Sequence, residues 1–108
     1  MDMKVNIKTL VHRVSETLRS VYGDRLQGVV LYGSAARGEM SATSDIDLLI
    51  LLTGPVSLGR ELRTIIKALY SLQLEVDCLI HAMPVDVKAY EAAEFSWYRN
   101  AKEEGLLV

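Results

Sequence analysis

The sequence predicts an α/β chain of the α+β kind: a small mixed sheet of three or more strands covered by helices. Three observations carry this reading. Two stretches repeat apolar residues three and four apart, three apolar runs are too short for helices, and the two kinds of segment alternate along the chain. With 108 residues, half of them hydrophobic, there is room for one domain with a core and too little chain for two. Residues 1–108 therefore read as a single unit.

From Val5 to Tyr22, the positions Ile7, Leu10, Val11, Val14, Leu18, Val21 and Tyr22 place one apolar stripe along a helix, and Gly23 supplies a left-handed stop. Gly28 to Tyr32 is short, β-branched and aromatic, which marks a first strand ending at Gly33-Ser34. Ser34 to Glu39 reads as a helical turn and Ser41 to Ser44 as a polar loop. Asp45 to Thr53 is the second strand, ended by Gly54-Pro55. Leu58, Leu62, Ile65, Ile66, Leu69 and Tyr70 share a helical face, with Ser57 placed as its cap. Leu74 to Ile80, interrupted by Glu75 and Asp77, is the expected third strand, stopping before Met83-Pro84. The chain from Val85 is helical in composition, with a break near Phe95-Ser96. Gly105 is placed to end the last helix before an apolar Leu106-Leu107-Val108 tail.

Bulk properties remove several classes of function. Twelve basic against 14 acidic side chains give a net charge of -2 and no basic footprint for a nucleic acid partner. Cys78 is the only cysteine, so an internal disulfide is impossible, and with no signal-peptide pattern at Met1 to Lys8 the expected compartment is the cytoplasm. The longest apolar run, Ile46 to Leu52 around Asp47, falls far short of the ~20 residues that span a bilayer.

The chemistry concentrates between Leu31 and Leu52. Gly33 lets the backbone turn tightly after a strand and approach a phosphate, and Ser34 opens a helical turn whose free N–H groups favour anions. Arg37, one turn on, can reach the same phosphates with a planar guanidinium. Asp45 and Asp47 stand two apart on a strand, so both carboxylates leave one face. Held close they repel by ~1 kcal/mol even in water, more in a cleft. They call for a divalent cation, and Mg2+ suits hard oxygen donors that share it with water and phosphates. Asp77 supplies a third acid among apolar neighbours, and the three converge if the third strand lies beside the second. Asp77 is then the acid nearest an incoming nucleophile, as general base or as ligand of the ion that activates it. His12, between apolar positions of the first helix, and His81, just beyond the third strand, read as structural or exposed. Trp97 and Tyr98 are candidates for an interface anchor.

Gly-Ser, a ten-residue spacer from Ala35 to Ser44, then Asp-Ile-Asp and a later third acid resemble the nucleotidyltransferase superfamily that includes DNA polymerase beta. The spacer looks like that of its minimal nucleotidyltransferase (MNT) branch, and Phe95 to Gly105 looks like that branch's closing helix. The resemblance implies the nucleotidyltransferase fold. It also implies that Gly33 and Ser34 bind ATP, and that Asp45, Asp47 and Asp77 hold one or two Mg2+ ions. It further implies an antitoxin that transfers AMP to a tyrosine of an all-helical HEPN ribonuclease toxin; a homo- or hetero-oligomer is left open by the sequence. Two alternatives stand beside it: transfer to a small hydroxylated molecule such as an aminoglycoside, and an antitoxin that binds its partner without needing catalysis.

Overall fold

The computed structural model describes residues 7–32, 45–92 and, for the backbone, 106–107. Helix α1 (Ile7–Tyr22) buries Leu10, Val11, Val14 and Leu18, and the chain leaves it through Gly23 at φ +57°, the left-handed conformation that favours glycine. A short 3-10 turn leads into β1 (Leu26–Tyr32), and β2 spans Ile46–Leu52. Helix α2 (Leu58–Glu75) returns the chain to β3 (Ile80–Asp86), followed by α3 (Val87–Glu91) and the two-residue β4 (Leu106–Leu107).

The strands form one mixed sheet in the order β3-β2-β1-β4. β1 pairs antiparallel with both β2 and β4, whereas β2 and β3 run parallel, joined by the α2 crossover. The expected small mixed sheet covered by helices is therefore what the chain forms. Alternation along β2 sorts its side chains. Ile46, Leu48, Ile50 and Leu52 enter one core with α1 and α2, and Leu49 and Leu51 enter a second with Val30, Val85 and Tyr90 of α3. The central strand is thus buried on both faces.

Two expectations need correction. The third strand is displaced from Leu74–Ile80 to Ile80–Asp86, because α2 continues to Glu75 with Leu69 and Leu72 in the core. Pro84, read as lying beyond the strand, sits inside it, and β3 tolerates a missing N–H because it is an edge strand. The Leu106-Leu107 tail is a strand paired with Val30 and Leu31.

Helix α2 also starts differently from the expected serine cap. Ser57 occupies the cap position without a side-chain hydrogen bond. Instead the buried Glu61 carboxylate accepts from the Ser57 N–H at 3.3 Å and from the Tyr22 hydroxyl at 3.4 Å, with Arg25 Nη2 3.6 Å away. One carboxylate thereby joins α1, the loop before β1 and the start of α2.

At the far end, Asp86 caps α3 by accepting from Lys88 N–H at 2.8 Å. A Cβ at Gly54 would collide with that carboxylate. Gly54→Ala is expected to cost about 1 kcal/mol, the usual worth of a lost cap, as a lower midpoint in urea unfolding at unchanged m-value.

Candidate active site

The catalytic candidates gather at one end of the sheet. Asp45 immediately precedes β2 and Asp47 is its second residue, facing Tyr32 of β1 on one side and His81 of β3 on the other. Because β2 and β3 are parallel, side chains at paired positions leave the same face. Asp47, Tyr32 and His81 therefore share the face that continues into the Leu49, Leu51 and Val85 core, opposite α1 and α2.

His81 is the residue that sequence reasoning missed. Its Nε2 lies 3.1 Å from Asp45 Oδ2, and both side chains are about half exposed. A lone histidine beyond an apolar run carries no local signal of this; only the register of β3 against β2 brings it to Asp45. Tyr32 was likewise read as a strand residue alone. His12 is exposed and pairs with Glu16 one turn along α1.

Among the described residues, the electrostatics are those of a site short of positive charge. Burial pushes the Asp47 carboxyl above its ordinary range, His81 opposes that rise, and the Asp45 carboxylate adds to it. The Tyr32 phenol is raised by burial and by Asp47. A divalent cation would relieve the repulsion between the two aspartates. Their hard oxygens fit Mg2+, which keeps several waters and needs only one or two carboxylates from the protein.

Asp77 is placed otherwise than expected. With β3 beginning at Ile80, Asp77 lies exposed in the bend between α2 and β3. Among the described residues no three His, Cys, Asp or Glu side chains stand close enough to hold one ion. The bend itself is pinned: the Gln73 side chain donates to Cys78 O and accepts from Ile80 N–H, both at 2.8 Å, and Ile46 N–H donates to Leu79 O at 2.8 Å. The buried Cys78 thiol is raised by burial, and it feels both Asp77 and Asp45. Asp77 thus belongs to the same end of the sheet without joining the pair. Gly33, Ser34 and Arg37, like Trp97 and Tyr98, lie outside the described residues.

A mixed sheet with its acids at the entrance of the central strand is the architecture of a nucleotidyltransferase. The sequence model of the nucleotidyltransferase domain matches residues 11–108, and the chain belongs to that family. A relative from Methanocaldococcus jannaschii, "Putative protein adenylyltransferase MJ0604", is 28% identical over 104 residues, which cover 96% of this chain and 99% of that one. A second from the same organism, "Putative protein adenylyltransferase MJ0141", is 33% identical over 76 residues, 70% of this chain and 76% of its own. The crystal structure of a "putative nucleotidyltransferase" from Sulfolobus solfataricus superposes with a TM-score of 0.51 at 18% identity, covering 94% of this chain and 83% of that one. That likeness is one of fold. No helix among the described residues is long and apolar enough to cross a membrane.

A raised carboxyl is one whose ionised form the folded state disfavours, so Asp47 removes stability as pH rises through its folded pKa. Asp47→Asn is expected to melt higher than the parent at neutral pH in chelator. The gap should close in acid, where Asp47 is neutral in both states; differential scanning fluorimetry across pH checks this.

Proposed function

We propose that this nucleotidyltransferase is a Mg2+-dependent adenylyltransferase that moves AMP from ATP onto a hydroxyl of a protein partner. The observation that carries the reading is the Asp45–Asp47 pair, two carboxylates on one face at the open end of a strand buried along the rest of its length. The two Methanocaldococcus relatives, whose printed names are those of protein adenylyltransferases, support a protein as acceptor.

In the reaction a hydroxyl oxygen attacks the α-phosphorus of ATP, the bond from that phosphorus to the bridging oxygen breaks, and pyrophosphate leaves. Asp45 and Asp47 would hold Mg2+, which when bound supplies charge neutralisation for the triphosphate. Asp47, set back against Tyr32 and His81, is the fixed member of the pair, and His81 orients the more exposed Asp45 through its Nε2 contact. Gly33 and Ser34 are assigned to the triphosphate by their motif, with Arg37 on its outer oxygens. Asp77, held at the same end of the sheet by the Gln73 clasp, is assigned to the acceptor side, where it takes the proton of the attacking hydroxyl.

The finer reading follows the MNT resemblance: the acceptor is a tyrosine of an all-helical HEPN ribonuclease toxin, and the chain acts in the cytoplasm as its antitoxin. The test is to incubate the protein with ATP labelled at the α-phosphate, Mg2+ and a HEPN partner. Label is expected on the partner, falling by at least ~100-fold for Asp45→Asn and for Asp47→Asn, the scale set by losing a preorganised charge-stabilising group. Undiminished transfer by both variants would sink the assignment. Neutralisation of the toxin by an inert double variant would identify a binding antitoxin, and label found only on an aminoglycoside would identify a small-molecule transferase.

A further inference from the structure

The bend between α2 and β3 is held by a side chain from α2. Gln73, half-buried in the last turn of the helix, donates from Nε2 to Cys78 O and accepts at Oε1 from Ile80 N–H, both at 2.8 Å. One of these backbone groups can only accept and the other only donate, so the amide has a single workable orientation. A hydrocarbon of the same length would leave both groups open. Between the two contacts, Leu79 O accepts from Ile46 N–H at 2.8 Å, and Ile46 is the residue between Asp45 and Asp47. The bend that carries Asp77 is thus tied to α2 on one side and to the acid pair on the other.

We propose that Gln73 is a positioning residue for nucleotidyl transfer, setting where Asp77 stands relative to Asp45 and Asp47. This rests on the reading of the site given above, in which Asp77 serves the acceptor. The acid pair stands at the entrance of β2, a strand fixed by burial on both faces whether or not the bend is ordered. Asp77 has no such support. It is exposed, and no hydrogen bond or ion pair to another described residue orients its carboxylate. Its place therefore follows from the backbone of residues 76–79, and that backbone is gripped by Gln73.

The turn that bears Gln73 has a separate outer anchor. Arg13 of α1 reaches Glu75 with two parallel bonds, Nη1 to Oε1 at 3.0 Å and Nη2 to Oε2 at 2.9 Å, both side chains about half exposed. Solvent screens such a pair. It steadies the helix end without touching the bend, whereas Gln73 holds the residues on either side of Leu79. The two contacts can be cut independently, and only the one made by Gln73 reaches the chemistry. A displacement of about 1 Å costs up to ~100-fold in rate. Triphosphate binding, assigned to Gly33 and Ser34, does not pass through the bend.

The test measures transfer from α-labelled ATP with Mg2+ and the HEPN partner, with far-UV circular dichroism to show each variant folded. Gln73→Met, and Gln73→Asn with its amide one methylene too short, are expected to lower kcat on the order of tenfold while KM for ATP stays within about twofold. Arg13→Gln is expected to match the parent. In an Asp77→Asn background, Gln73→Met should cause no further loss, the non-additivity of two residues that act through one group. Hydrogen exchange, which needs no activity, should show the Ile80 and Ile46 amides of Gln73→Met opening roughly five- to thirtyfold more readily, with Leu48 to Leu52 unchanged. Full kcat in Gln73→Met, an equal loss in Arg13→Gln, losses that add to those of Asp77→Asn, or unchanged exchange at Ile80 would each overturn the proposal. Failure of the site reading looks different: transfer undiminished in Asp45→Asn and Asp47→Asn, with the Ile80 and Ile46 amides of Gln73→Met still opened.

Discussion

Everything at the active end depends on β2 being buried on both faces. From Leu48 to Leu52 the strand is closed on either side, with Leu48, Leu49, Ile50 and Leu52 at 0% exposure. Burying a single such side chain is worth about 1.5–3 kcal/mol and truncating it about 2–5 kcal/mol. The strand is thus the most expensive part of the domain to move. Asp47 is the one interruption in that burial, and Asp45 stands one step outside it. The acids are therefore mounted on the end of a rod fixed by aliphatic packing. That arrangement holds two like charges together without help from local polar contacts, since a loop of equal composition would let them separate.

The same strand shows why much of the fold was legible in the sequence. α1 follows from a period of 3.6 and β1 and β2 from short apolar runs, which are local properties, and their ends at Tyr22, Tyr32 and Leu52 fall at or within a residue of the residues that signalled them. The β2–β3 connection was misread because its signals conflict. Val76, Cys78 and Ile80 look like a strand, but the core-facing spacing Ile65, Leu69, Leu72 carries the helix to Glu75. Pro84 looks like a breaker, yet an edge strand has one side on which no N–H is required. Leu106 and Leu107 have no strand signature of their own and become one only through pairing with β1 across more than seventy residues of chain.

The candidate site divides along the same line. Asp45 and Asp47 announce themselves because two residues along a strand is a geometric statement. His81 does not, since its importance rests on pairing between segments separated by α2, and a single histidine in sequence gives no register. Asp77 is the converse case. Its acid character and apolar neighbours were plain, but its position depended on a strand boundary, and moving that boundary by six residues places it in a bend rather than beside the pair. The Gln73 clasp that fixes this bend is equally a tertiary fact.

The layering also separates the acids from the helical cover. α1 and α2 cover the face of the sheet that receives Ile46 and Leu48, while Asp45 and Asp47 leave by the other. The outer surface of α2 is consequently one helix thickness and one sheet away from the carboxylates, about 10 Å for each layer. The carboxylates themselves stand at the start of β2. Because α2 runs back toward that end before β3 begins, its C-terminal turn and the pinned bend bearing Asp77 form one continuous piece of structure.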